Sequence, residues 1–134
     1  MSAVDTGAET SRVLAANAAF YDAFRRKDIT RMKALWSDDE PVFCIHPGWA
    51  PLAGRESVIG SFAAIMEQPA SPEITCEGAS VRIDGQHATV ICFEVIEGNR
   101  LVATNLFLRD SDGQWRLYHH HAGPTRAPGA ERFH

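Results

Sequence analysis

Apolar residues recur every three or four positions through the first part of the chain. Val13, Leu14, Ala16, Phe20, Ala23 and Phe24 form one stripe between Ser11 and Lys27, the spacing of a helix with one buried face. Asp28 stands where an N-cap belongs, and "ITRMKALW" puts Ile29, Met32, Leu35 and Trp36 on one side of a short second helix that ends at "SDDEP". Val42 to His46 reads as a short strand. Pro47, Gly48, Pro51 and Gly54 then oppose regular pairing and predict a loop. Helical spacing returns in "RESVIGSFAAIM" through Val58, Ile59, Phe62, Ile65 and Met66, and "QPASP" stops this third helix.

After Pro72 the pattern changes period. "EITCEGASVRI", "HATVICFEVI", "RLVATNLFLR" and "QWRLYHHHAG" are strand-like and are joined by the turns "DGQ", "EGN" and "DSDG". Helices followed by a run of antiparallel strands predict an α+β domain with helices packed on one face of a sheet.

Composition narrows the class without changing this picture. A chain of 134 residues with 45% hydrophobic and 22% charged residues suits one globular domain over residues 1–134, with an ordered core at about 10–124 and a loose tail in "APGAERFH". A formal charge of -4 and no basic run beyond "RRK" argue against nucleic acid as a partner. Cys44, Cys76 and Cys92 are widely spaced, without a CxxC pair, which fits a reducing compartment. The first residues lack the features of a signal peptide, and no apolar run approaches the ~18 residues of a membrane span, so a soluble cytoplasmic protein is expected.

The order α-α-β-α followed by a four-strand meander resembles the nuclear transport factor 2-like superfamily, which includes ketosteroid isomerase, scytalone dehydratase and the SnoaL-like polyketide cyclases. "DGQWRLYHHHAGP", with "IHPGW" and "LAG" upstream, is similar to the association domain of calcium/calmodulin-dependent protein kinase II and its free-standing bacterial relatives. The resemblance implies a cone-shaped, strongly curved antiparallel sheet around a pocket, closed by three helices from the N-terminal half, and a homodimer formed through the sheet's outer face. It also implies that the arginines lining the kinase pocket are replaced here by Glu94, Leu106 and Ala122, so an anionic ligand is disfavoured. The scaffold hosts both enzymes and non-catalytic assembly modules, so function must come from the site.

Side chains alternate along a strand, and the resemblance implies which class points inward. The inward sets are Val90/Cys92/Glu94, Thr104/Leu106/Leu108 and Arg116/Tyr118/His120. Trp115, Leu117, His119 and His121 then face outward, with Phe93, towards a partner subunit. Glu94 within "VICFEVI" is the most informative residue, because a buried carboxyl needs a partner or a raised pKa. It is read as a pocket acid or base, or as a structural carboxylate bonded to His120 or Arg116. His120, as an imidazole suited to proton transfer near neutrality, would complete an acid-base pair or serve as a hydrogen-bonded pocket residue. His46 and Trp49 are placed at the pocket mouth, with His46 assisting catalysis.

Tyr118, Leu106, Cys92 and Tyr21 are the further pocket candidates, although Tyr21 also reads as part of the helical core stripe. His119 and His121 stand ~6.6 Å apart along one strand face, within reach of a shared metal. A third ligand such as His46 or His87 would be required, and interface histidines are preferred to a metal site. No GxSxG, HExxH, GxGxxG or P-loop pattern occurs. The expectation is therefore a cofactor-free protein that binds a small apolar or neutral molecule, with isomerase, dehydratase or cyclase chemistry through Glu94, His120 and His46. The alternative is a non-catalytic association or ligand-sensing module.

Overall fold

The computed structural model describes residues 6–126. Helices α1 (Thr6–Arg25), α2 (Ile29–Leu35) and α3 (Arg55–Glu67) accompany strands β1 (Phe43–Ile45), β2 (Leu52–Ala53), β3 (Thr75–Asp84), β4 (His87–Ile96), β5 (Asn99–Arg109) and β6 (Trp115–Pro124). The strands form one curved, unclosed sheet in the order β2-β1-β6-β5-β4-β3. The expected antiparallel meander is present in β3 to β6, but β1 runs parallel to β6, so the sheet is mixed. Among the described residues no helix is long and apolar enough to cross a membrane.

Local chemistry accounts for the helix ends. Lys27 adopts the left-handed region at φ 56, and the Asp28 N–H bonds back to the Ala23 carbonyl, which closes α1. Asp28 then accepts from the Arg31 N–H at 3.0 Å and caps α2. The loop expected over Pro47–Gly54 contains one piece of regular structure. Its Leu52 and Ala53 pair with Cys44 and Phe43, because the chain between them turns back through Gly48 at φ 80.

The core lies between the helices and the concave side of the sheet. Phe20 meets Phe62 and Trp36 edge to face at its centre, and Trp36 and Phe62 are tilted against each other, with ring centroids 5.6 to 6.3 Å apart. Val90, Ala103, Phe107 and Leu117 belong to the same buried core.

Two sequence expectations about the strand faces are overturned. On β5 the buried side chains are Ala103, Asn105 and Phe107, so Thr104, Leu106 and Leu108 belong to the outer class. On β6 the register passes from Leu106↔His119 to Phe107↔Leu117, and Tyr118 is skipped. This bulge switches parity within the strand. Trp115 and Leu117 are consequently buried rather than outward, whereas His120 and Ala122 point inward beyond the bulge. Tyr118 falls on the outer face beside His87, with ring centroids 5.8 Å apart.

Candidate active site

The concave side of the sheet retains a cavity of about 250 Å³. Its walls are apolar: Phe20 and Phe24 from α1, Phe62 and Ile65 from α3, Trp49 from the loop after β1, and Ile96 at the end of β4. Tyr21, His46, Glu94 and His120 supply its polar groups. The chain brings them together from α1, the end of β1, β4 and β6.

Register explains the meeting of Glu94 and His120. They stand on β4 and β6, on either side of β5, where the inward residue between them is the small Ala103. Both side chains reach over this gap, and Glu94 Oε2 lies 3.7 Å from His120 Nε2. Both residues are buried, at 2% and 4% exposure. Tyr21 reaches down from α1 and donates its hydroxyl proton to Glu94 Oε2 at 2.7 Å. His46 lies one ring further out, with its centroid 6.5 Å from that of His120. The edge of Trp49 and the ring of Phe62 hold it at 4.8 and 4.9 Å. Ser61 donates to the Val58 carbonyl at 2.7 Å, so its oxygen accepts from His46 Nε2 at 2.8 Å.

Burial decides the charge of these groups. Desolvation pushes the Glu94 carboxyl up, against the opposing effect of the Tyr21 hydrogen bond. It pushes His46 down to about 4 and, helped by the neighbouring His46, His119 and His121, His120 down to about 3. Tyr21 is raised by burial and by Glu94, so the phenol remains protonated. At neutral pH the cavity thus presents two uncharged imidazoles and a carboxyl whose ionisation is opposed. Such a pair offers a proton acceptor and a proton donor within one apolar chamber.

The candidates named from sequence divide into three groups. Glu94, His120, His46, Trp49 and Tyr21 share the cavity. Cys92 points inward as expected but lies behind Tyr21, 3.4 Å from its hydroxyl, and is not part of the wall. Leu106 and Tyr118 are on the opposite side of the sheet, for the register reasons given above, and do not contact the cavity. Phe93 is half-buried on the outer face, with the Arg100 guanidinium 4.5 Å above its ring. His119 is half-buried near Phe43 and His121 is exposed. His46 is across the sheet from these two histidines, so it cannot join them around one ion.

Asn17 and Asn105 were not anticipated. Both are fully buried: Asn105 donates to the Tyr21 hydroxyl at 3.1 Å and to Asn17 Oδ1 at 2.8 Å, and its Oδ1 meets His120 Nδ1, so Asn17 reaches the cavity groups through Asn105. Asn17 sits on the same helical stripe as Val13, Phe20 and Tyr21, and a polar residue at that position was a usable signal.

A family model described as a SnoaL-like domain matches residues 13–126. The chain belongs to the SnoaL-like domain family. A solved structure from Streptomyces avermitilis, presented as a candidate dehydratase of the NTF2-like family, is 35% identical to this SnoaL-like domain. The match covers 90% of this chain and 99% of that one, with a TM-score of 0.82. A candidate calcium/calmodulin-dependent protein kinase type II association domain from Thiobacillus denitrificans is 30% identical, covering 84% and 94% of the two chains, with a TM-score of 0.75. The F-box protein SKIP8 of Arabidopsis thaliana is 25% identical over 117 residues, 86% of this chain and 50% of that protein. The SnoaL-like domain therefore spans about half the length of this curated relative.

Proposed function

We propose that this SnoaL-like domain is a cofactor-free acid-base enzyme that dehydrates, isomerises or cyclises a small, neutral or apolar molecule. The observation carrying the proposal is the 3.7 Å approach of Glu94 Oε2 and His120 Nε2 inside an apolar-walled cavity. His120 takes a proton from carbon, and Glu94, backed by Tyr21, supplies a proton to the oxygen that leaves or gains charge. His46 binds at the outer end of the same chamber, with Trp49 as the flat apolar wall. Similarity to the Streptomyces protein described as a candidate dehydratase supports this class of reaction.

The test uses 5-nitrobenzisoxazole, a small neutral probe whose ring opens when a base removes its carbon-bound proton. Turnover by the wild type and a loss of about 10²-fold in each of Glu94→Gln and His120→Gln are expected. Full activity in both variants overturns the mechanism.

A second proposal is favoured by the similarity to the Thiobacillus protein described as a candidate association domain. In it, the domain is an association or ligand-sensing module. Both proposals include a homodimer built on the outer sheet face, where Phe43 and Ile91 are exposed at 43% and 40%. A reducing cytoplasm suits its three free cysteines.

A further inference from the structure

Asn105 meets His120 with one end of its amide and, with the other, Tyr21, the hydrogen-bond partner of Glu94. Its side chain is completely buried on β5. One end, Nδ2, lies within hydrogen-bond distance of two oxygens, Asn17 Oδ1 at 2.8 Å and the Tyr21 hydroxyl at 3.1 Å. The other end, Oδ1, has a single partner, His120 Nδ1. An amide nitrogen carries two protons and the amide oxygen carries none. Only with nitrogen at the two-oxygen end does every proton find an acceptor. A flipped amide would leave one N–H with no partner in the interior, a costly arrangement.

Polarity then propagates in both directions. Asn105 Oδ1 accepts, so His120 Nδ1 must carry the imidazole proton and the lone pair of the neutral ring must reside on Nε2, the atom facing Glu94. Asn105 Nδ2 donates to the Tyr21 oxygen, and the single tyrosine proton goes to Glu94 Oε2 at 2.7 Å, a shorter contact and a stronger acceptor than Cys92 Sγ at 3.4 Å. Asn17 completes the orientation by accepting the second amide proton and turning its own nitrogen to Cys76 Sγ at 3.5 Å.

We propose that Asn105 is a positioning residue that sets the direction of proton flow, holding His120 as the base through Nε2 and Tyr21 as the donor to Glu94. This inference rests on the acid-base function proposed above and assigns the role of each atom within it. Asn105 does not contact the cavity and acts through His120 and Tyr21.

The decisive measurement is the tautomer of His120 by nitrogen NMR of histidine-labelled wild-type protein at neutral pH, with the signals assigned by their loss in His120→Gln. A neutral ring protonated at Nδ1 is expected. Protonation at Nε2, or an averaged mixture of the two tautomers, overturns the proposal. Asn105→Asp keeps the acceptor and should retain the Nδ1–H form, whereas Asn105→Leu removes it and should yield a mixture. A pure Nδ1–H form in Asn105→Leu also overturns the proposal, and the wild-type spectrum stands as a test whether or not that variant folds. The functional proposal fails separately: 5-nitrobenzisoxazole turnover indifferent to Glu94→Gln and His120→Gln refutes it even when the His120 tautomer is as expected.

Discussion

Tyr21 and Glu94 are 73 residues apart in sequence and share a 2.7 Å hydrogen bond between α1 and β4. The contact ties the first helix to β4, and it is the interaction that opposes the effect of burial on the carboxyl. Tyr21→Phe keeps the ring, which packs edge to face on Phe20 at 4.9 Å, and removes only the hydroxyl. The expected cost is about 1–3 kcal/mol, because the Asn105 N–H and the Glu94 carboxyl each lose a buried partner. Urea unfolding measures that cost. Carboxyl-carbon NMR should show Glu94 titrating at higher pH than in the wild type.

Stability should fall at both ends of the pH range, for opposite reasons. His46 and His120 are depressed from 6.5 to about 4 and about 3, so the unfolded chain binds more protons than the folded one below pH 6.5. Their stabilisation is complete above that pH and is lost as pH falls towards the folded values, with a slope of up to about 2.7 kcal/mol per pH unit when both differ by a full proton. Glu94 is raised, so its contribution is complete below its ordinary value of 4.5 and is lost as pH rises through the folded value. Glu94→Gln should therefore gain stability relative to the wild type at alkaline pH. Denaturant midpoints across the pH range check both limbs, and a wild-type curve flat from pH 6.5 to 4 contradicts the histidine assignment.

Phe62 joins the core to the cavity, since its ring meets Phe20 at 5.6 Å and His46 at 4.9 Å while lining the chamber. Phe62→Ala should destabilise the fold by about 3–5 kcal/mol. It should also loosen His46, whose ring loses one of its two aromatic supports. Phe62→Leu fills more of the space and should cost less. Calorimetric melting of the two variants gives the comparison.

Ile91 is 40% exposed on the outer face of β4, between the outward-facing Thr89 and Phe93. Ile91→Asp should dissociate the proposed homodimer while leaving the cavity groups undisturbed, and His121→Glu should act in the same direction. Sedimentation velocity reads the assembly state. A monomeric wild type would remove the dimer from the proposal.

The helices and the long strands were legible in the sequence, whereas the short β2 (Leu52–Ala53) inside the expected loop was not. Spacings of three and four in "RVLAANAAFYDAF" and "RESVIGSFAAIM", and the period of two after Pro72, specify which segments are helices and which are strands, because each backbone geometry sets its own side-chain repeat. Burial of Glu94 was legible in the same way, as one charge within an apolar strand. The faces of β5 and β6 were decided only in three dimensions. Alternation defines two classes of residue, but pairing between strands chooses the class that meets the core, and a single skipped residue, Tyr118, reverses the choice midway. For the same reason Leu106 was expected in the pocket that Asn105 in fact supports. Asn17 on an apolar helical stripe and Glu94 in an apolar strand were visible as buried polar positions, but the hydrogen bonds joining them to Tyr21, Asn105 and His120 were not, since a hydrogen bond depends on distance and direction between groups drawn from α1, β4, β5 and β6. Only the packing of that helix across those strands supplies them.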